Sequence, residues 1–295
     1  MNISSLIVTY NRLDKLKKTV EATLALPFKF VVIVDNGSTD GTAEWLNNII
    51  NERLIVLSST VNTGGAGGFK LGAEWIVKNL DTDWVLFYDD DAYPNDDFFS
   101  RIKAEELNNN TVYACNIVDT SGVRCKMNIP WKKHPHGFRE NIEYQLDPNR
   151  YIPDATKNES VVSVSFVGMI ISLDILADST KYIYDELFIY FDDVYFGHHL
   201  RLNNVPIIFL SRVVVVHDVN SRSTHIPPWK VYYLIRNIIY SKSLFGNGSP
   251  FDWMYITLRL IKYTLLTFRH PESINYIKKI IGGVRDGIYK HKAGR

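Results

Sequence analysis

Three adjacent carboxylates, Asp89, Asp90 and Asp91, directly follow the apolar run WVLFY at 84–88. The run wants burial, while the acids repel one another and want water or a cation. Residues two apart on an extended chain project to one side, so Asp89 and Asp91 can share a hard divalent cation. Such a cation would also hold phosphate oxygens. Asp90 would then point the other way, toward a sugar or solvent. The plain alternative is a loop that caps a helix, but Asn95 or Asp96 already serves as a cap for FFSRIKAEEL.

A second acidic pair and a histidine lie further on. FIYFDDVYFGHHLR places Asp192 and Asp193 at a predicted helix start. One of them can accept a proton from a hydroxyl, and both also complement the helix dipole, the commoner use. VVVVHDV ends a buried run on His217. A lone histidine there is usually a hydrogen-bonded core residue. With two carboxylates it would complete a set suited to Mn²⁺ or Mg²⁺. His134, His136, His198, His199 and His225 carry no such placement.

These residues need a scaffold, and the first 120 residues supply one. ISSLIVTY, FVVIVD, RLIVLSS and WVLFY read as short buried strands, alternating with helix-like segments. Continuous apolar strands between helices predict an α/β fold with a central, mostly parallel sheet covered on both faces. Asn11 is expected to cap the first helix, whose Leu13, Leu16, Val20 and Leu24 share a face. Ligands in such sheets sit beyond the carboxyl ends of the strands. Four polar segments fall there: Thr9 to Arg12, Asp35 to Ser38, the glycine loop NTGGAGGF at 62–69, and the Asp triplet. Each alone is an ordinary solvated turn; four on one rim point to a ligand. The glycine loop is neither GxxxxGK[ST] nor GxGxxG. Residues 119–158 read as an irregular insertion, 160–173 as renewed strand, 191–204 as helix, 205–219 as two strand-like runs, and the chain from about 228 as helical.

Bulk properties limit the classes. The chain has 295 residues and a net charge of +1, so no global field points to nucleic acid. Two cysteines make no disulfide framework and fit a reduced, cytoplasmic location. MNISSLIVTYNR has no basic region before a long apolar core, and no spanning helix is expected.

In order, VTYNR, VDNGSTDGT, the glycine loop, the Asp triplet, FDDVYFGHHLR and the downstream histidine resemble glycosyltransferase family 2 over about residues 3–220. NTGGAGGF and DDDA are most similar to bacterial galactofuranosyltransferases. YYLIRN (232–237) and the ending RDGIYKHKAGR look like tails of galactofuranosyl- and rhamnosyltransferases. The resemblance implies a GT-A nucleotide-binding fold and inverting transfer from a nucleotide sugar in bacterial surface polysaccharide synthesis. It implies that Thr9, Asn11 and Arg12 line the nucleotide pocket and that Asp35, with Asn36 beside it, meets the uracil or ribose. Gly64, Gly65 and Gly67 would let the chain pass close to the diphosphate or sugar, with Asp90 facing it. Asp89, Asp91 and His217 would hold Mn²⁺ or Mg²⁺. Asp193 would be the base and Asp192 would hold the acceptor or orient the base. Many members carry Glu-Asp where this chain has Asp-Asp, which leaves that division open.

The expected organisation is a transferase domain over 1–225, with a donor part to about 118 and an acceptor part from 119, then a helical region over 226–295. UDP-galactofuranose is the favoured donor and dTDP-rhamnose the alternative; a glycan or lipid-linked oligosaccharide is the acceptor. A sugar nucleotidyltransferase would want a glycine-rich loop after the first strand, which VTYNRLDK lacks. A non-catalytic nucleotide-sugar-binding subunit would need neither Asp193 nor His217. In FDWMYITLRLIKYTLLTFRH (251–270), Arg259, Lys262 and Arg269 fall within an arc of about 80°. Met254, Leu258, Ile261, Leu265 and Phe268 lie on the other side. That pattern fits a helix packed on the core or on a second copy in a homo-oligomer. It fits equally a helix lying on the inner face of the cell membrane. Lys278, Lys279, Arg285, Lys290, Lys292 and Arg295 add basic charge.

Overall fold

The computed structural model describes residues 1–219 and 225–293, the side chains of 290–293 excepted. Lys290, Lys292 and Arg295 therefore lie outside the described side chains. The strands are β1 (Ile3–Thr9), β2 (Val31–Asp35), β3 (Leu54–Ser58), β4 (Trp84–Asp89), β5 (Ala92–Pro94), β6 (Val112–Val118), β7 (Glu159–Val161), β8 (Met169–Ser172) and β9 (Ile207–His217). The helices are α1 (Leu13–Ala25), α2 (Thr42–Asn47), α3 (Gly64–Asn79), α4 (Phe98–Ala104), α5 (Gly137–Leu146), α6 (Leu173–Ser179), α7 (Asp192–Leu202), α8 (Pro228–Phe245), α9 (Trp253–Thr267) and α10 (Ser273–Ala293).

Two compact units emerge. The first comprises 1–132, 152–188 and 192–219; the second comprises 133–151, 189–191 and 220–295. All strands belong to the first, in one mixed sheet ordered β3-β2-β1-β4-β8-β6-β9-β5, with β7 on β9. Strands β3, β2, β1 and β4 run parallel, and β6 runs parallel to β9. Side chains alternate between two cores, as a strand's period of two requires. Ile3, Ile7, Ile33, Leu86 and Tyr88 join α1's Leu16 and Val20 on one face. Leu6, Val8, Val34, Val85 and Phe87 meet α3's Phe69, Ala73 and Ile76 on the other. Leu6, wholly buried, stands for these positions: Leu6→Ala would cost about 2–5 kcal/mol.

Several local expectations are corrected. Asn11 does not cap α1; it has a left-handed φ of 52°, and its side-chain oxygen accepts from the Thr39 amide. Arg12 is the N-cap, and Asp40 receives the Leu13 amide. Asp97, not Asn95 or Asp96, precedes α4. The glycine loop is mostly helix, because α3 begins at Gly64. The stretch 160–173 holds two short strands, β7 and β8, separated by 162–168, which ends on Gly168 with a left-handed φ of 87°, and Leu173 already opens α6. Conversely, 207–217 is one strand, kinked where its pairing with β6 shifts register after Cys115. The supposed irregular stretch 119–158 contains α5.

In the second unit, α10 packs closely on α8: added Cβ atoms at Gly283 and Gly287 would each come within 2.8 Å of an α8 carbonyl oxygen. Among the described residues no helix is long and apolar enough to cross a membrane.

Candidate active site

Strand register gathers the predicted residues at one rim of the first unit. Thr9 stands beside Asp35 across β1 and β2, and Val8 stands beside Asp89 across β1 and β4. Thr9 and Asp90 thus exit side by side, and the Thr9 hydroxyl donates to Asp90 at 2.9 Å. The Tyr10 amide and Arg12 also donate to Asp90, and Arg12 reaches Asp91 at 2.7 Å. Asp90 is therefore buried against the start of α1 and does not point to solvent. Burial pushes Asp90 up to about 6, with Arg12 and Thr9 pulling it down and Asp91 pushing it further up. Burial also opposes the Arg12 charge, but Asp91 and Asp90 outweigh it.

Strand β9 brings in the histidine. His217 pairs with Ala92 across β5, and the Asp218 amide donates to the Asp91 carbonyl at 2.7 Å. Ligand atoms of Asp89, Asp91 and His217 all lie within 4.8 Å of one another. His217 Nε2 is 3.1 Å from an Asp91 oxygen, and its Nδ1 is 2.9 Å from Asn128 Oδ1. Burial drives Asp89 up to about 7, and the charges of Asp91 and Asp90 add to this against His217 and Arg12. Burial works against the Asp91 charge too, but His217 and Arg12 hold it below the usual carboxylate range. Two carboxylates and an imidazole with such crowding form an oxygen-and-nitrogen donor set that a divalent cation would relieve. The residues fit the metal that the fold implies.

Asp192 and Asp193 open α7. Burial pushes Asp193 up to about 6, against hydrogen bonds from the Val194 amide, the Ser165 hydroxyl and the Phe166 amide. Asp192 is raised well above the carboxylate range, first by burial, then by Asp193, with Asp89 adding its charge. Asp192 therefore shares the electrostatic neighbourhood of the acidic cluster. Both carboxyls are raised by burial, and the charge of Asp193 raises Asp192 further, so the pair can hold and release a proton within the site.

The other predicted residues divide. Buried Asn36 is fully engaged: its oxygen accepts from the Thr63 amide and hydroxyl, and its amide donates to Asn62 and the Gly64 carbonyl. Asp35, also buried, accepts the Ser38 amide. Gly64 has φ 74° and lies where a Cβ would sit 2.0 Å from the Phe188 carbonyl oxygen, while Gly67 backs onto Thr63. Only Gly65 of the three has open space before it. Asn128 and Ser165 were not foreseen, since neither sits in a recognisable motif.

Comparison with known proteins agrees with this geometry. Residues 4–178 match the family model described as Glycosyl transferase family 2. The galactofuranosyltransferase GlfT1 of Mycobacterium tuberculosis is 29% identical over 160 residues, 50% of this chain and 51% of that protein. The chain thus spans about half the length of that relative. The dTDP-rhamnosyl transferase RfbF of Shigella flexneri is 25% identical over 97% of this chain and 95% of its own. The crystal structure of S. aureus TarS covers 98% of this chain and 49% of its own at a TM-score of 0.55 and 20% identity, a likeness of fold. Mixed sheet, acid–histidine cluster and family match coincide, and the chain belongs to glycosyltransferase family 2.

Proposed function

We propose that this enzyme is an inverting, divalent-metal-dependent hexosyltransferase acting from a nucleotide diphosphate sugar on a hydroxyl of a glycan or lipid-linked acceptor. The observation that carries the reading is the convergence of Asp89, Asp91 and His217, with Asp192 close enough to feel Asp89's charge. UDP-galactofuranose is the favoured donor and dTDP-rhamnose the second, a choice supported by the names of GlfT1 and RfbF. Surface polysaccharide such as O antigen or capsule is the product class. The donor part is assigned to about 1–118, the acceptor part to 119–225 and a helical appendage to 226–295.

Asp89, Asp91 and His217 would hold Mn²⁺ or Mg²⁺. Bound there, such a cation supplies positive charge for a departing diphosphate. Arg12 keeps Asp90 and Asp91 in place at the same rim. Asp193, held by Ser165 and two amides, takes the proton from the acceptor hydroxyl as that oxygen attacks the anomeric carbon. Asp192 holds the acceptor or orients the base. Direct displacement needs no covalent sugar–enzyme bond and inverts the anomeric centre. Gly65 leaves backbone room for the donor, and Thr9, Asn11, Asp35 and Asn36 shape the nucleotide side, with Gly64 and Gly67 allowing close packing.

The second unit supports peripheral contact with the inner face of a cell membrane. In α9 the predicted apolar stripe is not packed inward: Met254, Leu258, Ile261, Leu265 and Phe268 are all exposed, Phe268 by 83%. Arg259, expected on the polar arc, instead bonds Tyr255. An exposed apolar stripe on a helix without acids, bordered by Lys262 and Arg269, fits anionic lipid.

The deciding experiment supplies purified protein and Mn²⁺ with UDP-galactofuranose, dTDP-rhamnose and other nucleotide sugars, plus glycan acceptors, and measures released UDP or dTDP. Release that vanishes in Asp193→Asn while donor binding persists supports the transferase. No turnover of any donor would sink it, and retained turnover in Asp193→Asn would move the base elsewhere.

A further inference from the structure

Two side chains outside every sequence motif link the candidate cation site to the candidate base. Asn128 accepts from His217 Nδ1 at 2.9 Å, and its amide lies 3.0 Å from Ser165 Oγ. Ser165 also receives the Val167 amide at 3.2 Å and bonds the Asp193 carboxylate. A hydroxyl has one proton and two lone pairs. With both lone pairs of Ser165 engaged, its proton goes to Asp193, and an ionised carboxylate can only accept. The direction of every bond upstream is then fixed. Asn128 must present its NH₂ to Ser165 and its oxygen to His217. His217 must carry a proton on Nδ1, so that Nε2 is the nitrogen turned toward Asp91 and the candidate cation site.

The packing that brings these groups together is specific. Gly197 lies one turn beyond Asp193, and a Cβ there would stand 3.1 Å from the Val164 nitrogen and 3.3 Å from Ser163 Cα. The bare glycine lets α7 settle on the 163–165 segment. Asn128 is buried, as is His217.

We propose that Asn128 and Ser165 are positioning residues forming a one-directional hydrogen-bond relay, in which the charged base at 193 sets the metal-binding tautomer of His217. The proposal rests on the transferase reading for the roles of residues 193 and 217, but its geometry can be tested without any sugar donor. Ligating histidines are commonly oriented through their second ring nitrogen by such a partner. Here that partner is itself oriented by the base.

The test has readouts independent of turnover. Long-range proton–nitrogen NMR of the wild-type imidazoles reads the His217 tautomer with no folding risk; the proposal requires the Nδ1–H form, and the Nε2–H form overturns it. Calorimetric titration with Mn²⁺ alone should show Asn128→Leu weakened about 10–100-fold, the range of lost outer partners. Wild-type affinity in a folded Asn128→Leu also overturns it. Ser165→Ala should raise the titration of the Asp193 carboxyl carbon, and Ser165→Thr should restore it because the hydroxyl returns. A lowered melting temperature with an unmoved Asp193 titration would mean that Ser165 only packs. If the relay holds while every donor fails, the transferase reading alone is at fault.

Discussion

His217 places Nε2 3.1 Å from an Asp91 oxygen across 126 positions of sequence. Two such atoms are both acceptors when the ring carries its proton on Nδ1 alone, so their approach is favourable only around a shared positive charge, either a bound cation or the proton of an imidazolium. Asp91→Asn and His217→Ala should therefore weaken Mn²⁺ binding by more than the about 10–100-fold of an outer-shell change. EDTA should abolish nucleotide release and added Mn²⁺ should restore it. Full activity in chelator, with both variants unaffected, would remove the cation from the mechanism.

The acid limb of turnover should report Asp193. Burial holds this carboxyl up to about 6 even though several hydrogen bonds pull it down. A base works only when ionised, so kcat at saturating Mn²⁺ should be flat above that region and fall as pH drops through about 6. Asp193→Asn should lower kcat by about 10²–10⁴-fold with donor affinity kept. The rate profile of the wild type, followed by nucleotide release between pH 5 and 8, checks the first statement. A profile unchanged down to pH 5 would assign the proton transfer to another group.

Much of the scaffold was legible because β1, β2 and β4 are mostly apolar, carry no charge before their last residue and are bounded by polar turns, as strands of a parallel sheet covered on both faces are. Asp89, Asp91 and His217 could be grouped by ligand chemistry and by resemblance. What did not show was tertiary. Asp90 turns inward because β1 and β4 end in register beside Arg12, a relation between segments nearly 80 residues apart. Asn128 acquires meaning only through His217 and Ser165, each on a different segment. The glycines of 64–68 looked like a loop because glycine disfavours helix, yet close packing against Thr63 and Val8 outweighs that propensity.

Gly64 and Gly65 should part company on substitution. An alanine at 64 would keep a left-handed φ and drive Cβ into the Phe188 carbonyl. Backbone and overlap together should cost about 2–4 kcal/mol. Gly65→Ala meets nothing within 4 Å and sits in α3, so it should stay within about 1 kcal/mol of wild type. Urea midpoints check both. If Gly65→Ala also leaves donor affinity untouched, Gly65 does not border the donor.

The α9 stripe gives a prediction that needs no sugar chemistry. Leu265 is 60% and Ile261 50% exposed on a helix that carries no acid, while Lys262 and Arg269 stand exposed at its border. At half burial in lipid each apolar side chain contributes about 1 kcal/mol. Ile261→Glu with Leu265→Glu should then weaken binding to vesicles of phosphatidylglycerol and phosphatidylcholine by about 30-fold or more, since two new charges add to the loss. Lys262→Glu with Arg269→Glu should weaken the same binding in low salt and matter little on pure phosphatidylcholine, because only the anionic surface attracts those charges. Co-sedimentation measures both. Turnover on a short water-soluble acceptor should be unchanged in the apolar variant, as neither Ile261 nor Leu265 belongs to the proposed chemistry. Sedimentation velocity without vesicles separates the rival: wild-type dimers that become monomers in the Glu variant would assign the stripe to a second copy of the chain instead of lipid.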